Sequence, residues 1–484
     1  MDTSPSALLR ALVPKLPFVA KTALWHTLWL SPTSTKWDLR TEITVNIIRS
    51  LLDSPAPTPL SKQQRWSLKD PGIKGRMWVS KVTLPRPEED DIRSLLADAI
   101  DALKGAGGVY PTPAVVPVEA EWTGYRAHVR HDRPRLDLSE AQHYQRLMSE
   151  VTSPVTLIYL HGGVHYMMDP SSHRIPVSRL AHLTNGRCLS VRYRLSPQNP
   201  FPCALLDAFQ TYLSLLYPPL GSFHEPVVAK NIVLAGDSAG GNLALALVQL
   251  ILEINRSSTR ASVAFHGQSI QLPLPLPAGV ASSSPWVDLS RCMPSILSNA
   301  QYDYLPPPKG PDTVSRFPHD EIWPTDPPRG DLYCDLSMLD HPLVSPLAAK
   351  DWAKSCPMFF SCGEEMLADE GKAVATLAAE QGVTVIWEQY EAMPHCFPLL
   401  FEHLEAGQKG FKNWAAFCSK VAGGSDNELE TKGTWYAAKT CKETAVDVRS
   451  LALCSREEVA ERMSSTIHAR MQGREGEAKI LPKL

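Results

Sequence analysis

Runs of nearly continuous apolar residues recur along the middle of this chain, and each ends in glycine or in a polar cluster. They read "VTLIYLHGG" (155–163), "RCLSVRYRL" (187–195), "NIVLAGDSAGG" (231–241), "PMFFSCGEE" (357–365) and "VTVIWEQYE" (383–391). Helical patterning fills 202–216, 239–254, 366–381 and 403–419 between or after them. A strand that is apolar on both sides is buried on both faces. Strands alternating with helices are joined by crossovers, so the pattern predicts an α/β fold with a mostly parallel central sheet covered by helices on both faces. In such sheets ligands bind beyond the carboxyl ends of the strands, which is where the glycine-rich stretches fall.

The rest of the chain reads as additions to that core. Residues 1–150 are expected to form a helical N-terminal cap and leading strands, with one strand near Met77–Leu84 and an extended segment over 114–129. Residues 151–421 form the core, interrupted by a Pro-rich insertion at 301–330 that reads as a lid. Residues 422–484 read as a linker and an amphipathic C-terminal extension. There Ser455–Glu458 make a capping box, and Val459, Met463, Ile467 and Met471 repeat every four residues. That helix either packs back on the core or frays into solvent.

Composition excludes several function classes. A net charge of −3 gives no electrostatic basis for nucleic-acid binding. The ten cysteines show no metal-type spacing, so no metal site is expected, and they read as buried reduced thiols of an intracellular, cytoplasmic protein. No cofactor motif is present. Residues 7–30 are apolar but carry Arg10, Lys15 and Lys21 and are broken by Pro14 and Pro17, which suits neither a membrane span nor a secretory signal. The same features are compatible with peripheral membrane contact through the cap. The terminal Pro482-Lys483-Leu484 is a weak variant of a peroxisomal address.

The stretch Gly236-Asp237-Ser238-Ala239-Gly240 joins an apolar strand to a helical segment. The glycines permit a sharp turn and close helix–strand approach, which leaves the Ser238 hydroxyl at the apex, beside a helix N-terminus whose free N–H groups favour developing negative charge. A serine needs an oriented base. Among downstream histidines, His395 follows a strand, whereas His266, His319, His341, His403 and His468 fall in loops or helices. An orienting acid is sought after the preceding strand, where Glu364, Glu365, Asp369 and Glu370 all stand. The glycine turn His161-Gly162-Gly163-Val164 offers backbone N–H groups that can converge with that of Ala239 on an oxyanion.

With "YLHGGVHYMMDPSSHR", "YRLSPQNPFPCALLDA", "GDSAGGNLA", "SSPWVDLS", "HPLVSPLAA" and "CGEEMLADEG", residues 150–420 resemble the α/β-hydrolases of the hormone-sensitive-lipase family, nearest in texture to fungal steryl acetyl hydrolase-like esterases. The resemblance implies Ser238 as nucleophile, His395 as base and Glu365 as acid, with Asp369 and Glu370 trailing it toward the surface. It also implies an oxyanion hole of Gly162, Gly163, Val164 and Ala239, and a structural role for Asp207. Two departures stand out: Val164 replaces a glycine, and the acid is Glu rather than Asp. The implied activity is cofactor-free hydrolysis of an apolar small-molecule ester with a short or medium acyl group, of sterol or secondary-metabolite type. An acyltransferase or lactone-forming enzyme would use the same triad. A ligand-binding receptor of this fold would have lost His395.

Overall fold

A computed structural model describes residues 13–54, 57–103, 107–310, 314, 317–423 and 429–480. The terminal Pro-Lys-Leu, part of the Pro-rich insertion and most of the 422–430 linker therefore lie outside the described residues.

Ten strands form one sheet. In chain order they are β1 (Met77–Leu84), β2 (Val118–Tyr125), β3 (Thr156–Leu160), β4 (Arg187–Arg192), β5 (Ile232–Asp237), β8 (Gly279–Ser283), β9 (Met358–Gly363), β10 (Val385–Tyr390), β11 (Lys432–Tyr436) and β12 (Glu443–Val446). A separate hairpin, β6 (Ser262–Phe265) and β7 (Gln268–Gln271), lies outside that sheet. The spatial order is β1-β2-β4-β3-β5-β8-β9-β10-β11-β12. Every neighbouring pair from β4 to β11 is parallel. The β1/β2, β2/β4 and β11/β12 pairs are antiparallel. The expected strand near 77–84 and the extended segment over 114–129 are the antiparallel edge of this sheet. Beyond residue 430 the chain adds two more strands at the opposite edge, on which the sequence pattern was silent.

Side-chain alternation divides the sheet's two faces. Leu157, Tyr159, Val233 and Ala235 pack with Val177, Leu180, Phe411 and Trp414 of the helices Pro170–Thr184 and Glu405–Ala422. Ile158, Leu160 and Leu234 pack with the helices Cys203–Leu216 and Ala239–Ser257. Alternate strand residues point to opposite faces, so runs apolar at every position suit a sheet covered twice. The helix Ala239–Ser257 is buried without a break from Ala239 to Ile254, which makes it the rigid support of the turn before it.

The C-terminal helix, Arg456–Ile480, begins with the expected capping box, Ser455 N–H donating to Glu458 and Glu458 N–H to Ser455 Oγ. It packs on the core rather than fraying: Val459, Met463 and Ile467 are buried, and the buried Arg470 donates to Asp331 Oδ2 (2.7 Å) and the Gly330 carbonyl (3.2 Å). Among the described residues no helix is long and apolar enough to cross a membrane, and no cluster of His, Cys, Asp and Glu is suited to hold a metal. All ten cysteines are free thiols.

Candidate active site

Ser238 occupies the junction of β5 and the helix Ala239–Ser257, with φ 50° and ψ −119°. That conformation is strained for any residue with a side chain. It persists because both ends of the turn are fixed: Ser238 N–H donates to the Ser283 carbonyl (3.1 Å), and the Ser238 carbonyl accepts from Trp286 N–H (3.0 Å). The flanking glycines serve close packing. A Cβ at Gly240 would lie 1.9 Å from the Leu160 carbonyl oxygen, and one at Gly236 would lie 2.5 Å from the Gly240 carbonyl carbon.

Glu365 and His395 come together from the ends of β9 and β10. His395 Nδ1 and Glu365 Oε2 are 2.5 Å apart, and both side chains are buried. Burial disfavours the imidazolium, but the neighbouring Cys396 and Glu365 outweigh it and hold the His395 pKa well above its ordinary value. Burial pushes the Cys396 thiol up to about 12. The histidine loop is fastened onto the serine turn. Cys396 N–H donates to Ser284 Oγ (2.9 Å), and Cys396 Sγ lies 4.0 Å from Asp237 Oδ2.

The other three acidic candidates are engaged elsewhere. Glu364 accepts from Ala392 N–H (2.9 Å). Asp369 and Glu370, expected to cap or pair at the surface, are instead buried and bind the segment after β8. Asp369 accepts from Ser295 N–H (3.0 Å) and meets Lys372 Nζ (3.1 Å); Glu370 Oε1 accepts from Val287 N–H (2.6 Å) and Asp288 N–H (3.2 Å). Burial, then the neighbouring Asp288, drive the Glu370 pKa well above the usual carboxylate range. Asp207 is structural, bound through both oxygens to Arg194 (2.7 and 3.0 Å).

The glycine turn after β3 takes left-handed backbone at Gly163 (φ 115°), Val164 (φ 57°) and His165 (φ 61°). One expected oxyanion donor is corrected: Gly162 N–H is committed to Asp237 Oδ1 (3.1 Å). Asp237 also accepts from Tyr159 O–H (2.7 Å) and lies 3.4 Å from His173 Nε2. Burial alone would raise its pKa, but His173 and Tyr159 hold it below the usual range. Gly162 thus ties the turn to the residue preceding Ser238. Among the described residues, the N–H groups of Gly163, Val164 and Ala239 have no protein acceptor. Gly163 also allows no side chain, since a Cβ there would meet the Met167 carbonyl oxygen at 2.2 Å.

Asp303, at the start of the Pro-rich insertion, is a member of this site that the sequence reading missed. It is fully buried, accepts from Met366 N–H (2.9 Å) through Oδ2, and from Leu305 N–H (3.1 Å) and, more weakly, His395 N–H (3.4 Å) through Oδ1. Burial, then the adjacent Glu365, raise its pKa. It therefore holds the backbone next to both Glu365 and His395. From the insertion, Tyr304 stands edge-on to the His395 ring (6.0 Å between centroids), and Phe317 and Trp323 pack with Val164, Tyr166 and Leu60.

A family model described as the alpha/beta hydrolase fold matches residues 157–399. The chain belongs to the alpha/beta hydrolase family. It is a carboxylesterase- and lipase-like serine hydrolase. An acetyl-hydrolase of Streptomyces hygroscopicus is 29% identical over 271 residues, 55% of this chain and 76% of that one. An esterase of Acinetobacter venetianus is 25% identical over 278 residues, 57% of this chain and 78% of its own. Among solved structures, EstE5 soaked with p-nitrophenyl butyrate matches with a TM-score of 0.54 at 20% identity, over 80% of this hydrolase and 100% of EstE5. An esterase from the bacterial hormone-sensitive lipase family matches with a TM-score of 0.50 at 21% identity, over 80% of this chain and 99% of that one. These structural likenesses establish the shared fold.

Proposed function

We propose that this alpha/beta hydrolase cleaves a carboxylic ester of an apolar small molecule, with a short acyl group such as acetyl, through Ser238, His395 and Glu365. Ser238 Oγ attacks the ester carbonyl while His395 takes its proton. The charge that develops on the carbonyl oxygen is received by the N–H groups of Ala239, Val164 and Gly163. His395 returns the proton to the leaving alcohol, and the acyl group stays on Ser238 until water, deprotonated by His395, releases it as the acid. Glu365 keeps Nδ1 protonated, so the lone pair of Nε2 is free to act as base, and its charge stabilises the imidazolium. The observation that carries this reading is the buried 2.5 Å contact between Glu365 and His395 at the strand ends beside the strained Ser238 turn. The acyl length is supported by the acetyl-hydrolase relative, and the apolar alcohol by Tyr304, Phe317 and Trp323 of the insertion. Hydrolysis of a chain-length series of p-nitrophenyl esters, with Ser238→Ala as blank, tests it. The expected result is a kcat/KM that is highest for the short acyl groups and absent in the blank. Equal rates in the blank, or no cleavage of any ester, would overturn it.

A further inference from the structure

The N-terminal helix Leu16–Thr27 is built inside out. Its inward positions are Val19, Thr22, Ala23 and His26, and His26 Nδ1 meets the buried Glu42 Oε2 at 2.5 Å. Its outward positions carry Leu16, Phe18, Leu24 and Trp25, and the chain continues outward with Leu28, Trp29 and Leu30. Leu16, Leu24, Leu28, Trp29 and Leu30 are 55–68% exposed. A water-facing helix normally shows the reverse arrangement, and a contiguous exposed patch of large apolar side chains marks a docking surface. Two of its indoles carry cations: Lys21 Nζ lies 4.6 Å from the Trp25 ring and Lys439 Nζ 5.9 Å from the Trp29 ring. Between residues 13 and 37 the chain holds Lys15, Lys21 and Lys36 and no acidic residue.

We propose that this surface docks on a lipid bilayer bearing anionic headgroups, with Leu24, Trp25, Leu28, Trp29 and Leu30 in the interface and Lys21 and Lys439 against the phosphates. Indole rings favour the headgroup level, and Lys beside apolar side chains is the pattern of helices that lie in the membrane plane. The helix has 12 residues, about 18 Å at 1.5 Å per residue, too short to cross a bilayer of about 30 Å. Charge complementarity favours a membrane over a second copy of the chain. The segment 13–37 holds three lysines and no carboxylate, so a second copy of the same segment offers Lys21 no opposite charge, whereas anionic headgroups do. The patch is also coupled to the active site. Trp37 Nε1–H donates to the Ala392 carbonyl (2.5 Å) in the His395 loop, and Arg49, on the helix Leu39–Leu52 beneath, donates to the Asp303 carbonyl (2.8 Å).

Flotation of the full-length protein with vesicles tests the docking without any ester, so its outcome is independent of the proposed activity. The protein is expected to float with equimolar phosphatidylcholine/phosphatidylglycerol vesicles, more weakly with phosphatidylcholine alone, and less as salt rises. The pair Trp25→Ser/Trp29→Ser should weaken vesicle affinity by about tenfold or more, and Lys21→Glu should weaken it only on anionic vesicles. Leu220→Ser, at an exposed leucine outside the segment, should change nothing. Unaltered thermal melting and unaltered cleavage of a soluble p-nitrophenyl ester by the tryptophan variant show that it is folded. No flotation with either vesicle, flotation untouched by the tryptophan changes, or a lipid-free dimer by light scattering that the tryptophan changes dissolve would each overturn the proposal.

Discussion

Replacing Glu365 by Gln removes one charge from a site buried away from solvent. The Glu365 side chain is 0% exposed and the His395 side chain 5% exposed. Above the His395 pKa the resting imidazole is neutral and loses little. In the transition state it is an imidazolium, and the attraction it loses sets the cost. At an effective dielectric of about 20, unit charges about 4 Å apart attract by about 4 kcal/mol, which corresponds to about 10³ in rate. A glutamine that turns its N–H₂ toward Nδ1 also favours the wrong tautomer, so the loss is expected between about 10³ and 10⁴ in kcat. KM should change little, because the carboxylate faces the histidine rather than the substrate. The assay is steady-state hydrolysis of a short-chain p-nitrophenyl ester, with Ser238→Ala as the floor. Glu364→Gln, Asp369→Asn and Glu370→Gln are the comparison set and should keep kcat within about tenfold of wild type. Asp369→Asn should still lower Tm, since it removes the buried carboxylate that meets Lys372 Nζ. If Glu365→Gln keeps most of its activity while one of the others is dead, the acid has been assigned to the wrong carboxylate.

The His395 pKa is held well above its ordinary value, and only the neutral imidazole is a base, so kcat/KM should fall as pH drops through a midpoint above about 6.5; a flat profile there would exclude histidine as the base. Gly163→Val, which forces a side chain onto the Met167 carbonyl at φ 115°, should abolish ester cleavage and lower Tm, whereas Val164→Gly, at a position whose backbone already stands at φ 57°, should keep most of its turnover; equal losses of activity in both would refute this account of the turn. Asp303→Ala strips the acceptor from the N–H groups of Leu305, Met366 and His395, at about 1–3 kcal/mol for each that stays buried and unpaired. Its kcat should drop and its acid limb shift while KM holds, and a lower Tm with an unchanged pH profile would reduce Asp303 to a purely structural role.

What the sequence revealed followed from how strongly each element is written. β3, β5, β9 and β10 are runs of large apolar residues and were legible, as was the order of their glycine-rich ends. β8 lies among them, fully buried, but its "GVASS" is made of small residues with little hydrophobic signal. β11 and β12 are short and mix polar with apolar residues without a clear period, and they are held by backbone pairing with β10 and each other and by Tyr436 stacked on Tyr390. The helix Pro170–Thr184 went unassigned because Pro176 interrupts its pattern; its capping box at Asp169 and Ser172 and the packing of Val177 and Leu180 sustain it. At the site, the sequence put Ser238, Glu365 and His395 each just beyond a strand, and that is where the structure has them. Asp303 stands alone in a Pro-rich stretch, and its part in the site depends on a chain path that no local spacing encodes. Gly162 was counted as an oxyanion donor because the turn was read without Asp237, whose side chain takes its N–H.

The central claim is that Ser238 is the nucleophile, and covalent labelling tests it most directly. The protein is treated with a serine-directed fluorophosphonate, weighed intact and digested to locate the adduct. A single phosphonyl group is expected, on the peptide containing Ser238. It should be absent from Ser238→Ala and should form in step with the loss of ester cleavage. An adduct at another residue that tracks the loss of activity, or unimpaired hydrolysis by Ser238→Ala, would contradict the account.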